Sequence, residues 1–211
     1  MNLARSLSNN SVEVDIGALE QGLKDALAGG KTLLTVPELQ AILAQVQADI
    51  RKRQQEKMQQ LAETNKKDGE AFLNANKSKD GVVVLPSGLQ YKILQQGTGP
   101  KPTASDTVTC NYRGTLLDGT EFDSSYKHGA PATFAVGRII KGWIEALQLM
   151  PTGSKWQIFI PSDLAYGERG SGPTIGPNAT LIYEVELLSV QPKPEPGPNP
   201  TPKPNPSPNP N

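Results

Sequence analysis

The sequence predicts an α+β chain: an N-terminal α-helical segment and long connecting helix, then an antiparallel β-sheet wrapped on one short helix. Three observations predict it. Ten of the eleven aromatic residues lie between Tyr91 and Tyr183, with only Phe72 outside. No proline occurs between Pro37 and Pro86, and apolar residues before that point recur at helical spacing. After Leu89 the spacing changes to strict alternation, punctuated by turn residues.

The helical part comes first. Ile16, Leu19, Leu23 and Leu27 recur every three or four residues, and Gly29-Gly30 stops the run. Thr35-Val36-Pro37-Glu38 reads as a capping box, with Thr35 at N-cap and Glu38 at N3. Leu39, Ile42/Leu43, Val46 and Ile50 then continue one apolar stripe. The helix is expected to run to Asn76, about 58 Å at 1.5 Å per residue. From Arg51 to Glu70 its only apolar residues are Met58, Leu61 and Ala62, the pattern of a helix bridging through solvent. Two short amphipathic helices cannot satisfy each other's stripes, so residues 12–50 are expected to pair with a second copy. The alternative packs the stripe back on the C-terminal domain.

Fourteen of the 20 glycines fall between Gly81 and Gly176, marking 81–190 as a compact, turn-rich domain. Leu89, Tyr91 and Ile93 alternate, as do Val108, Cys110 and Tyr112, each reading as a strand with one buried face. Asp118-Gly119 signals a hairpin between Thr115-Leu116-Leu117 and Glu121-Phe122. Phe134 and Val136 make a short strand ending at Gly137. Ile140–Met150 reads as the single short helix, stopped by Pro151-Thr152-Gly153. Trp156, Ile158 and Ile160 alternate again, and Leu181, Tyr183, Val185 and Leu187 form the last strand. The organisation is therefore a flexible N-terminus (1–11), a helical dimerisation domain (12–50), a connecting helix (51–80), the compact domain (81–190) and a tail (191–211). That tail has proline at every even position from Pro192 to Pro210 and no hydrophobe to bury, so it reads as a polyproline II spacer or disordered segment.

Several function classes drop out. Lys plus Arg equals Asp plus Glu, at 21 each, so no net charge points to nucleic acid. One cysteine excludes a disulfide framework, and one histidine excludes a His-rich metal site. No apolar run approaches the ~20 residues of a membrane span, and Met1–Asp15 lacks the apolar region of a secretory signal. There is no GxSxG, HExxH, P-loop or GxGxxG. Cys110 falls on the apolar phase of a strand, as an inert thiol would. His128, in Ser-Ser-Tyr-Lys-His-Gly-Ala-Pro, reads as a solvated loop histidine. Asp106, Asp118 and Asp163 lie at turn signals. An enzyme built from this chain needs chemistry without nucleophile, metal or histidine base.

Five ordered blocks carry a resemblance: Val84–Tyr91 (VLPSGLQY), Tyr112–Ser125 (YRGTLLDGTEFDSS), Ile139–Leu147 (IIKGWIEAL), Ile160–Gly170 (IPSDLAYGERG) and Ile175–Leu188 (IGPNATLIYEVELL). Residues 84–190 resemble the FK506-binding-protein (FKBP) domain, a peptidyl-prolyl cis/trans isomerase. The preceding helical segment resembles the macrophage-infectivity-potentiator type of bacterial FKBP. The resemblance implies no cofactor, proline-containing folding polypeptides as partners, a V-shaped homodimer and action as a folding helper or chaperone. It also implies a macrolide of the FK506/rapamycin kind as a possible ligand and the bacterial periplasm or cell surface as location. A non-catalytic client-binding chaperone, a cell-surface interaction factor, or a dimer linking envelope components through the proline tail are the rival readings.

The resemblance implies a pocket lined by Tyr112, Phe122, Asp123, Ile139, Ile140, Trp143, Tyr166, Ile175 and Tyr183. Trp143 is its floor under the proline ring, and Tyr112, Phe122 and Tyr183 are aromatic walls. Ile140 offers its backbone N–H and Tyr166 its hydroxyl to carbonyls. Asp123 sits at the rim, where desolvation is expected to raise its pKa. Asp123, Tyr166, Phe122 and Trp143 are the catalytic set. Without the resemblance, Phe122 and Trp143 read equally well as core aromatics, Asp123 as a cap on the Ser124-Ser125 turn and Tyr166 as a turn residue. Ala132 and Ser171 stand where many family members carry an aromatic and a histidine, leaving those sides of the pocket more open.

Overall fold

The computed structural model describes residues 15–29 and 34–193. The expected flexible N-terminus, Gly30 and the proline-rich tail beyond Lys193 lie outside the described residues.

Helix α1 spans Ile16–Leu27. Asp15 caps it, its carboxylate accepting the Ala18 N–H at 3.0 Å, and Gly29, at φ +63°, turns the chain out of the helix. Helix α2 runs unbroken over Val36–Asn76, 41 residues, with its one proline, Pro37, in the first turn where it is tolerated. Half of the expected capping box forms. The Thr35 N–H donates to Glu38 at 2.8 Å, but the Thr35 hydroxyl donates to the same carboxylate oxygen at 2.7 Å. Glu38 thus holds both Thr35 donors. The stripe residues Ile16, Leu19, Leu23, Leu27, Leu39, Ile42, Leu43 and Val46 are all exposed on the single chain.

From Leu61 onward α2 departs from its expected character as a solvated bridge. Gly69 and Asn76 are buried. A Cβ on Gly69 would run into the Thr180 hydroxyl. Phe72 packs on Phe159 with ring centroids 5.8 Å apart. The Asn65 amide donates to the Pro177 carbonyl at 2.8 Å. Asn76 donates to the Gln90 side-chain carbonyl at 3.0 Å, and the Gln90 amide donates to the Leu73 carbonyl at 2.9 Å. Asn65, Asn76 and Gln90 make the polar part of this docking, and Phe72 the apolar part.

The strands are β1 (Val82–Val84), β2 (Gln90–Gln95), β3 (Thr107–Thr115), β4 (Glu121–Ser124), β5 (Ala132–Ala135), β6 (Lys155–Ile160) and β7 (Leu181–Gln191). They form one antiparallel sheet in the order β1-β2-β6-β7-β3-β4, with β5 also paired to β3. A one-turn helix, α3 (Ser125–His128), follows β4, and α4 (Lys141–Leu149) supplies the one longer helix of this domain. α4 buries Trp143, Ala146 and Leu147 in a core with Leu89, Val108, Cys110, Ile158, Ile160, Leu181, Val185 and Leu187. The opposite phase of β6, through Phe159, meets Phe72 of α2. Two strand expectations need correction. Ile93 is 40% exposed, so the alternation of β2 fades toward its C-terminal end. β5 stops at Ala135, and Val136–Arg138 form a 3-10 turn instead. The Val136 N–H there donates to the Asp106 carbonyl at 2.9 Å, the last bond in register with β3 before the turn.

Candidate active site

The site begins with the β3–β4 hairpin. Asp118-Gly119 makes the turn, with Gly119 at φ +86° and the Thr120 N–H donating to Asp118 at 2.8 Å. Antiparallel register places Asp123 opposite Gly114, two residues from Tyr112 along β3. Gly114 cannot be larger: a Cβ would lie 2.6 Å from the Phe122 ring and 2.7 Å from the Tyr183 ring. Ser124 then caps α3 by accepting the Tyr126 N–H, and Gly129 at φ +77° ends it. The Ser125 hydroxyl accepts the Tyr112 N–H at 3.0 Å, tying α3 to β3.

The Tyr112 hydroxyl therefore meets Asp123, donating to its Oδ2 at 2.7 Å. Asp123 Oδ1 accepts the Ser124 N–H at 2.8 Å and faces His128 Nε2 at 3.0 Å. The expectation that burial raises the Asp123 pKa is corrected. Desolvation is the largest single influence and does push upward. The hydrogen bonds from Tyr112, His128 and Ser124 outweigh it and hold the carboxyl below its ordinary value. Burial and the neighbouring carboxylate push the Tyr112 hydroxyl up, and burial with the adjacent Tyr166 does so for Tyr183. Both phenols stay protonated as donors.

Behind this pair stands an aromatic cage. The Trp143 ring is edge-on to Tyr112 (5.5 Å, 85°) and to Tyr183 (5.2 Å, 86°), and Phe134 meets both Tyr112 (5.7 Å) and Trp143 (5.5 Å). Trp143 enters from the third position of α4, and Ile140 is the N-cap of that helix. The Ile140 carbonyl accepts the Trp143 and Ile144 N–H groups. Tyr166, 36% exposed, stands just before the 3-10 turn Gly167–Arg169.

These side chains enclose a cavity of about 460 Å³. Seven of the nine expected residues line it: Tyr112, Asp123, Ile139, Ile140, Trp143, Tyr166 and Tyr183. Phe122 and Ile175 do not. They line an adjoining cavity of about 250 Å³ that shares Asp123, Tyr166 and Tyr183. Phe122 still shapes the main cavity indirectly, packing edge-on against Tyr183 at 5.4 Å. Phe134 and Arg138 line the main cavity and escaped sequence reading. The apolar phase of β5 was the available signal for Phe134; an arginine in a turn offers none. His128 also belongs to the rim. It is solvent-exposed as expected, but the single turn of α3 carries it back to Asp123.

An apolar cage with one carboxylate–phenol pair suits a reaction that moves no proton to a nucleophile, and comparison with known proteins agrees. Residues 99–188 match the family described as FKBP-type peptidyl-prolyl cis-trans isomerase. Residues 1–93 match the domain amino-terminal to FKBP-type peptidyl-prolyl isomerase. The chain belongs to the FKBP-type peptidyl-prolyl cis-trans isomerases. This isomerase is 50% identical over 189 residues to the outer membrane protein MIP of Legionella longbeachae, covering 90% of this chain and 81% of that one. It is 46% identical to the peptidyl-prolyl cis-trans isomerase Mip of Coxiella burnetii, covering 90% and 82%. The crystal structure of FkpA from Escherichia coli matches with a TM-score of 0.78 at 37% identity, over 92% of this chain and 90% of that one. No helix among the described residues is long and apolar enough to cross a membrane.

Proposed function

We propose that the cavity over Trp143 is where this isomerase twists the X–Pro bond of its clients. The amide rotates over a barrier of about 18–20 kcal/mol because resonance gives the C–N bond double-bond character. At the perpendicular geometry that resonance is gone and the carbonyl is less polar. A cage of Tyr112, Phe134, Trp143 and Tyr183 disfavours the flat, more polar imide relative to the twisted one, so binding is stronger at the transition state. Ile140 and Tyr166 offer donors for client carbonyls, and Asp123 faces the rotating amide from the rim. The observation that carries this reading is the Tyr112–Asp123 bond at 2.7 Å on the wall of a largely aromatic cavity. The test follows cis/trans exchange of an X–Pro peptide by magnetisation-transfer NMR. Asp123→Ala is expected to lower kcat/KM at least tenfold, about 1.4 kcal/mol. Turnover equal to the parent chain would remove the cavity from the mechanism.

The organisation carried into this reading is a dimerisation segment over 12–50, a connecting helix over 51–80 and the isomerase domain over 81–190. The exposed apolar residues along α1 and the start of α2 support a homodimer, since eight large apolar side chains left exposed on the single chain call for a partner. A dimer carries two cavities on one particle, which raises the effective concentration of a second X–Pro site of the same client. That suits a folding helper acting as a chaperone on proline-containing polypeptides. A location in the bacterial envelope rests on the relative named as an outer membrane protein. A macrolide would enter the same cavity, with Ala132 and Ser171 leaving room at its margins.

A further inference from the structure

We propose that His128 is a positioning residue that makes isomerase activity depend on pH by holding the Asp123 carboxylate. This rests on the reading of the Trp143 cavity as the isomerase site.

Asp123 has two oxygens with separate tasks. Oδ2 accepts the Tyr112 hydroxyl at 2.7 Å on the cavity wall, while Oδ1 accepts the Ser124 N–H at 2.8 Å and lies 3.0 Å from His128 Nε2. An ionised carboxylate only accepts, so Nε2 carries the hydrogen in this contact. The geometry is set by backbone: Ser124 caps α3, Gly129 ends it, and one turn spans from Asp123 to His128. Asp123 is held charged by its donors, so His128 faces a fixed negative neighbour.

The other charged groups around α3 do not compete. Lys127 pairs with Glu121 of β4 at 3.0 Å, and Glu121 also takes Arg113 of β3. Tyr112 reaches His128 only through Asp123. The chain has one histidine, and burial pushes its only thiol up to about 12. Histidine is the side-chain type that changes charge between pH 5 and 8. As imidazolium it adds a charge-assisted bond that fixes Oδ1 and so aims Oδ2 at Tyr112. As neutral imidazole it leaves the carboxylate looser on its exposed side.

The experiment measures kcat/KM on an X–Pro peptide from pH 5.5 to 8, with the uncatalysed rate subtracted. For an exposed ion pair the fall with rising pH is expected to be about two- to fivefold. His128→Arg should remove the inflection at the level of the acid limb, and His128→Gln should remove it at the level of the alkaline limb. A flat or rising parent profile, an inflection that persists in His128→Gln, or arginine and glutamine variants at one level each overturns the assignment. The reading of the cavity fails separately, if Asp123→Asn turns over the peptide as fast as the parent.

Discussion

Asp123 shows how little of a side chain's chemistry is its own. Burial alone would make it a weaker acid, yet three donors from β3, Ser124 and α3 reverse the sign. Those donors exist because Gly114 lets β3 approach the Phe122 and Tyr183 rings, and because Ser124 starts a helix one residue later. Removing one donor tests the pair. Tyr112→Phe deletes a hydrogen bond to a charged group, about 1.5–3 kcal/mol, and kcat/KM in the NMR exchange assay is expected to drop about tenfold. Trp143→Ala acts on both levels: it opens the cage and removes a buried indole, so thermal unfolding should report a loss of about 3–5 kcal/mol alongside lost turnover. Cys110 stands at the opposite extreme. It is fully buried and its thiol is pushed up to about 12, so an aromatic disulfide reagent at neutral pH is expected to label it only after denaturation.

At the scale of elements, the end of α2 is the part whose role changed most between sequence and structure. Its Gln- and Lys-rich composition reads as a solvated rod, but Gly69, Phe72, Leu73 and Asn76 pack or hydrogen-bond with the sheet domain. A fragment that begins at Gly81 strips Phe72 from Phe159 and leaves the buried Gln90 side chain without either partner. Losing a buried aromatic contact and a buried hydrogen-bond pair costs about 3 kcal/mol or more. A fragment beginning at Leu61 keeps both. By circular-dichroism melting the shorter fragment is expected to unfold about 10 °C or more below the longer one. Equal midpoints would mean that the helix contacts add nothing. β5 teaches a smaller lesson: the chain turns into a 3-10 segment at Val136 where side-chain pattern alone continued the strand.

For the whole molecule, the exposed stripe makes the sharpest forecast. Leu39→Glu with Ile42→Glu places two charges on it, and analytical ultracentrifugation is expected to give a dimer for the parent chain and a monomer for the double variant. Turnover of a short X–Pro peptide per chain should stay within about twofold, because both positions lie far along the sequence from the cavity residues. The sequence by itself determined the helix-then-sheet order, the 41-residue helix, the hairpin at Asp118-Gly119 and the family. Periodicity, caps and turn residues are local signals, and five contiguous blocks are enough to mark a family. Only the tertiary structure decided which residues meet. It separated Phe122 and Ile175 from the main cavity, brought in Phe134 and Arg138, and set His128 against Asp123. Those neighbours come from strand register, one helical turn and a chain crossing. Distance through space between such residues depends on how the sheet pairs, which no single segment encodes.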